Sequence, residues 1–313
     1  MTNALRACDR QLPLGRRTYL LGILNVTDDS FSGDGLLGDH ARALEAALRM
    51  AADGADIIDV GGESARADVR RVTPDEEIAR VVPVIRGLRQ HSDVLVSIDT
   101  YKPEVARAAI EAGAHLVNDI SGLRLGDETA RVAAQLGAAL VVNYTYERPK
   151  IRPDRAPRYH DLVGQHLSFL RAATQRAHDA GLPPDRLIID PGIAFGKSHD
   201  EDLEVLRRLR EFRALGYPLL LAASRKHFIG SATGLDVTDR LEATLAVTAL
   251  AIAAGADFVR VHDVLPNART RSMTDAIVRG HLGDWAATPE SWPWAAGARS
   301  VPGTRIGEAL NPG

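Results

Sequence analysis

Leu21 to Asp34 reads LGILNVTDDSFSGD, and its two halves cannot belong to one element. A short apolar run ends at Asn25, and the Thr-Asp-Asp-Ser-Phe-Ser-Gly segment that follows is too polar and too kinked to prolong it. A brief apolar run bounded by turn chemistry marks a strand buried on both faces. The polar residue at its exit is then a candidate for function.

The same figure recurs down the chain, at Asp56 to Val60, Val94 to Ile98, His115 to Asp119, Ala138 to Val142, Leu187 to Asp190, Pro218 to Ala223 and Phe258 to Val261. Helical patterns separate these runs. Thr73-Pro-Asp-Glu76 places an N-cap, a first-turn proline and a glutamate three residues on, the signature of a capping box. Eight short strands alternating with helices predict a parallel sheet closed into a (β/α)8 TIM barrel. An open doubly wound sheet is the competing architecture, but no Gly-x-Gly-x-x-Gly follows the first strand. The expected layout is a lead-in over 1–18, one barrel domain over 19–282, and a tail over 283–313. That tail carries Trp285, Trp292 and Trp294 and is expected to pack on the barrel exterior.

Composition narrows the function. The net charge of -3 comes from intermixed acids and bases, which leaves no electrostatic footprint for nucleic acid or an anionic membrane. Any anion must therefore be met locally. Cys8 is the single cysteine, so no intrachain disulfide can form, and it is expected to be inert. No apolar run is long enough to span a bilayer, and the first residues lack a secretory pattern. A soluble cytoplasmic protein is expected.

In a parallel barrel all strand exits gather on one face, where such folds keep their active sites. The exits here carry Asn25, Glu63, Ser64, Arg66, Asp99, Asn118, Asp119, Asn143, Asp190, Ser224, Lys226, Arg260 and His262. Singly, each has a bland explanation: Asp99 or Asp190 as a helix cap, His262 as a structural histidine, Arg66 and Lys226 as solvated charges. Together they divide into two chemistries. Asp99, Asn118, Asp190 and Lys226 can hydrogen-bond the donors and acceptors around a heterocycle. Arg66, Arg260 and His262, with Asn25 available to a hard cation, suit a cluster of anionic oxygens such as a diphosphate. No zinc signature is visible, and His166 is expected on the surface of its helix.

These motifs resemble those of the dihydropteroate synthases of the pterin-binding family. The matching stretches are Gly22-Ile-Leu-Asn-Val-Thr27 with Asp29-Ser-Phe-Ser32, Ile58-Asp-Val-Gly-Gly-Glu-Ser64, Ser97-Ile-Asp-Thr100, Val117-Asn-Asp-Ile120, Asp190-Pro-Gly192 with Phe195-Gly-Lys197, Ser224-Arg-Lys226 and Arg260-Val-His-Asp-Val264. The resemblance implies a transferase that condenses dihydropterin diphosphate with 4-aminobenzoate in folate biosynthesis. It implies pterin binding by Asp99, Asn118, Asp190 and Lys226, with Arg260 against the ring. It further implies that Asn25 helps hold Mg2+ and diphosphate together with Arg66 and His262, and that Phe195 and Lys226 border the 4-aminobenzoate site.

Most of the departures from the family pattern border the second substrate, though Ala65 loses a hydroxyl on the diphosphate side. Glu63-Ser64-Ala65-Arg66-Ala67 stands where Glu-Ser-Thr-Arg-Pro is usual, His227 replaces a serine, and Val142-Asn143-Tyr144 replaces Met-His-Met. A reshaped acceptor pocket with weak sulfonamide inhibition is therefore expected. Two alternatives remain open at this level: a non-catalytic or altered-acceptor pterin-binding paralogue, and a pterin-dependent methyltransferase. The apolar run Ala243 to Ala254 exceeds what one-sided packing needs and suggests a homodimer.

Overall fold

The computed structural model describes residues 4–27, 39–64, 70–147 and 158–280. Two short strands, β1 (Ala4–Ala7) and β2 (Arg10–Pro13), open the chain as an antiparallel hairpin. Then strands and helices alternate: β3 (Tyr19–Asn25), α1 (His40–Ala52), β4 (Ile57–Gly61), α2 (Pro74–His91), β5 (Leu95–Asp99), α3 (Pro103–Glu111), β6 (Leu116–Asp119), α4 (Glu128–Leu136), β7 (Ala139–Asn143) and α5 (Leu162–Asp179). The order continues with β8 (Leu187–Asp190), α6 (His199–Arg207), β9 (Leu220–Leu221), α7 (His227–Thr233), α8 (Leu241–Ala254), β10 (Phe258–Val261) and α9 (Val264–Arg279).

Strands β3 to β10 form one parallel sheet in the order β8-β7-β6-β5-β4-β3-β10-β9. A bridge between Ile189 and Leu219 brings its two ends together. The barrel predicted from the eight apolar runs is thus present. Strand β9 is shorter than the expected Pro218 to Ala223: only Leu220 and Leu221 pair along β10, while Leu219 bridges Ile189 and accepts the Asp257 and Phe258 N–H groups at the entry to β10.

Local chemistry fixes the helix starts. Thr73 and Glu76 exchange the expected capping-box hydrogen bonds, and Asp39 and Asp161 cap α1 and α5. Each capped donor is worth about 1 kcal/mol, enough to set where a helix begins but not to hold it there. Burial holds it.

The interior follows the two-residue period of a strand. Tyr19 and Leu21, Ile57, Leu116, Ala139 and Val141, Ile188, Leu220 and Phe258 pack as one apolar cluster. Leu5, Ala7 and Leu12 of the hairpin join it. The lead-in is therefore part of the barrel core: its hairpin stoppers the end of the barrel where the strands begin. Counting two residues on from each apolar position along a strand reaches Ile23, Asp59, Asn118, Asn143, Asp190, Ala222 and Arg260. On β4, β6, β7, β8 and β10 the interior turns from apolar to polar within one step, while Ile23 and Ala222 keep β3 and β9 apolar there. The expected tail over 283–313 lies outside the described residues.

Candidate active site

The polar layer is cross-linked by charge. Arg260 of β10 donates from Nε to Asp59 at 2.5 Å and from Nη2 to Asp99 at 2.7 Å. Asn118 of β6 donates from Nδ2 to the same Asp59 oxygen at 3.0 Å. Four strands, β4, β5, β6 and β10, are thus tied at one level. Two carboxylates gripping different edges of the guanidinium fix its plane and leave a face for a flat ring to lie against. Burial raises the Asp99 carboxyl, with Arg260 opposing it and Asp59 adding to it. Arg260 stays charged: its two carboxylate partners outweigh the burial that would lower it.

Asp59 was quoted in the sequence motif but given no role. It is fully buried, and its second oxygen, Oδ1, has no hydrogen-bond partner among the described residues. The signal was available, because an acid at the centre of a strand buried on both faces must be paired or bound.

Across the bowl, Asp190 ends β8. Its carboxylate accepts from the Gly192 N–H at 2.7 Å. Burial raises its pKa while Lys226, nearby, pulls it down. Lys226 donates from Nζ to the Ile193 carbonyl at 2.6 Å and stands 5.1 Å from the Phe195 ring centroid. Burial lowers its pKa to about 8 against the attraction of Asp190 and Asp202. The residue before it, Arg225, has a positive φ of 57° and forms a two-point ion pair with Asp263. Arg240 then donates to the Arg225 carbonyl at 2.9 Å. These bonds aim Lys226 inward.

Ser224 and His262 meet beside this group. Ser224 Oγ lies 2.9 Å from His262 Nδ1 and accepts the His262 backbone N–H at 3.2 Å. Asn25, half-buried at the end of β3, faces Asp99 across Gly61. A Cβ on Gly61 would stand 3.8 Å from Asn25 Oδ1 and 3.6 Å from Asp99 Cβ, so the glycine keeps that space clear.

Nine of the ten site residues read from the sequence are thus gathered around one barrel mouth. The tenth, Arg66, and its neighbours Ala65 and Ala67 lie outside the described residues. Three other exit residues serve the scaffold. Asp119 accepts from Ser121 N and Thr129 Oγ1, and Asn143 donates to the Ile120 and Tyr144 carbonyls. Glu63 takes bonds from Val72 N and Tyr101, with Lys102 at 3.0 Å.

His166 corrects its expectation. It is fully buried, stacked on Tyr144 with centroids 3.4 Å apart, and bonded through Nδ1 to the Leu162 carbonyl at 2.7 Å. The helix turns it inward because Tyr144, at the exit of β7, supplies a flat partner. Burial, with some repulsion from Lys197, lowers its pKa to about 3.

A family model described as pterin binding enzyme matches residues 21–262. The dihydropteroate synthase of Clostridium beijerinckii is 44% identical over 271 residues, which is 86% of this chain and 98% of that protein. A crystal structure of the Clostridium difficile dihydropteroate synthase, obtained in the presence of pteroic acid, is 42% identical with a TM-score of 0.78, covering 85% of this chain and 98% of that one. The Yersinia pestis enzyme in a sulfonamide drug complex is 35% identical with a TM-score of 0.82, over 88% and 98% of the two chains. The chain belongs to the pterin-binding enzyme family. Its function within that family is that of a dihydropteroate synthase, a transferase of folate biosynthesis.

Proposed function

We propose that the polar layer binds the dihydropterin ring of 7,8-dihydropterin-6-ylmethyl diphosphate, with 4-aminobenzoate as acceptor. The observation that carries this is the ring of Asp59, Asp99, Asn118 and Asp190 closed by Arg260 and Lys226 within a single barrel mouth. Asp190 accepts the adjacent N–H donors of the pterin, Asp99 and Asn118 bond its opposite edge, and Arg260 lies along its face. Lys226 offers a cation to the ring's acceptors.

At the diphosphate end, Arg66 and His262 receive the negative charge that grows on the leaving group, and Ser224 holds the His262 imidazole. The methylene C–O bond breaks as diphosphate departs with its electron pair. The amine nitrogen then forms the new C–N bond and sheds a proton to solvent. Asp190, paired against the ring, stabilises the positive charge on the pterin in between. No strong base is needed, because a free aromatic amine is already nucleophilic.

Mg2+ suits this mouth. Among the described residues no group of three or more His, Cys, Asp or Glu could cage an ion. Mg2+ commonly takes one or two protein oxygens and fills its shell with water and substrate phosphates. Asn25 would supply the protein oxygen, and the ion would neutralise charge on the diphosphate.

Phe195 and Lys226 border the acceptor, and the sulfonamide complex of the Yersinia relative motivates testing that site with sulfonamides. The altered residues around it predict weaker inhibition than in ordinary relatives. A homodimer through α8 and α9 completes the reading: Leu250, Met273 and Ile277 are 70%, 63% and 70% exposed on these packed helices. No helix among the described residues is long and apolar enough to cross a membrane.

The test is to incubate the protein with dihydropterin diphosphate, 4-aminobenzoate and Mg2+ and to measure diphosphate and dihydropteroate together. Equal release of both, lost in Asp190→Asn and Lys226→Ala, is expected. Pterin binding without either product would leave a non-catalytic or altered-acceptor paralogue.

A further inference from the structure

The loop from Asp190 to Lys197 is anchored at both ends, and Lys197 reaches from one to the other. At the near end, Gly192 N–H bonds the Asp190 carboxylate and Lys226 holds the Ile193 carbonyl. At the far end, Ala194 has a positive φ of 68° and its N–H bonds Asp202 at 2.9 Å. Lys197, its side chain wholly enclosed, donates to the Gly192 and Phe195 carbonyls. Tyr159 donates its hydroxyl to the Gly196 carbonyl at 2.6 Å and accepts the Tyr144 hydroxyl at 3.2 Å.

The Tyr159 bond falls on the residue next to Phe195. Its donor is held from behind: Tyr144 is clamped by the His166 stack and by Phe169 edge-on at 5.1 Å. Tyr146 packs edge-on to Tyr159 and leaves so little room that a Cβ on Gly196 would lie 2.3 Å from its own Cβ. Burial pushes both the Tyr144 and Tyr159 hydroxyls up, so each keeps its proton at ordinary pH.

We infer that Tyr159 is a positioning residue that fixes Phe195 through the Gly196 carbonyl and thereby sets affinity for the acceptor. This rests on the reading of Phe195 as a wall of the acceptor site. The pterin contacts should be indifferent, because Asp190 and Lys226 are secured at the near end by bonds that do not pass through Tyr159.

Steady-state kinetics with each substrate varied decides it. Tyr159→Phe keeps the ring and deletes one hydrogen bond, so KM for 4-aminobenzoate should rise about fivefold. KM for the pterin diphosphate and kcat should stay within about twofold, and sulfonamide inhibition should weaken in step with the acceptor KM. Tyr144→Phe leaves the Gly196 bond intact and should give a smaller rise of the same kind. Phe195→Ala is measured alongside. If it raises the acceptor KM and Tyr159→Phe does not, the inference is overturned while the site reading stands. If Phe195→Ala changes nothing, the site reading fails and takes the inference with it. A rise in both KM values with a lower Tm would also overturn the inference, since it would mark general loosening.

Discussion

The pterin end and the acceptor flank of the same mouth are built on opposite principles. Most side chains at the pterin end stand on strands and meet as ions: Arg260 joins Asp59 and Asp99 across the barrel, and Lys226, at the start of α7, is drawn electrostatically to Asp190 at the end of β8. On the acceptor flank, loops hold one another through hydroxyls, carbonyls and stacked rings, from Tyr159 to Tyr144 to His166. Strand positions cannot move without disturbing the strands paired on either side, whereas a loop can be refitted by exchanging a few residues. That difference fits where the described departures stand: Asn143 ends β7, Tyr144 follows it and His227 opens α7, while Asp99, Asn118, Asp190, Lys226 and Arg260 match the family motifs.

Removing the hub of the pterin end should have the largest effect. Asp59→Ala strips Arg260 of one partner and leaves a buried charge short of compensation, which costs about 3–5 kcal/mol. Unfolding by urea should show that loss, and kcat/KM for the pterin substrate should fall at least about a hundredfold. The acceptor KM should scarcely change. If it rises as steeply as the pterin KM, the two regions are one cooperative unit and the contrast is wrong.

Protonation offers a gentler probe of the same end. Lys226, with its pKa lowered to about 8 by burial, is charged below that pH and neutral above it. Pterin kcat/KM should therefore decline as pH rises through about 8. Lys226→Arg keeps its charge and should lose that alkaline limb, even if its overall rate is lower. Lys197 also sits at about 8, under burial opposed by Asp202. A Lys197→Met variant retaining the limb would assign it to Lys226.

The sequence announced the pterin end more fully than the flank, for a physical reason. Strand period and strand exits are local properties, so the polar residues closing Leu21 to Asn25, Leu95 to Asp99 and Leu187 to Asp190 could be placed on one face before any contact was known. Asp59 is not a strand exit but lies in the middle of β4, and its place within an apolar run is the signal that carries it. His166 escaped for a different reason. Its partner Tyr144 lies 22 residues earlier in a different element, and nothing in the helical pattern of α5 says that a ring waits there. The Tyr159 contact to Gly196 spans 37 residues between two loops and has no periodic signature. The N-terminal hairpin was hidden by its length, since four-residue strands without a clear turn motif resemble any lead-in.

Acid should pull the two regions apart by the smallest but most selective effect. Buried His166 has a folded pKa of about 3 against 6.5 for a free imidazole, so below about pH 6.5 the unfolded state takes up a proton that the folded state refuses. Its stabilising contribution is whole above 6.5 and is lost as pH falls toward 3, amounting to about 2 kcal/mol at pH 5. Asp190 and Asp99 behave in the reverse sense. Their folded pKa values are raised by burial, so acidification favours the folded state at the pterin end. Hydrogen exchange at pH 5 against pH 7 should show α5 and the Tyr144 segment losing protection while β5 and β8 hold theirs, after correction for intrinsic exchange rates. His166→Phe keeps a ring against Tyr144 but has nothing to protonate, and it should flatten the acid slope of Tm. A residual slope is expected from His115, whose pKa burial lowers to about 4 at the far end of the barrel. If β5 and β8 open together with α5, the ion-paired strands do not form a separately stabilised unit, and the tolerance of the flank to substitution needs another cause.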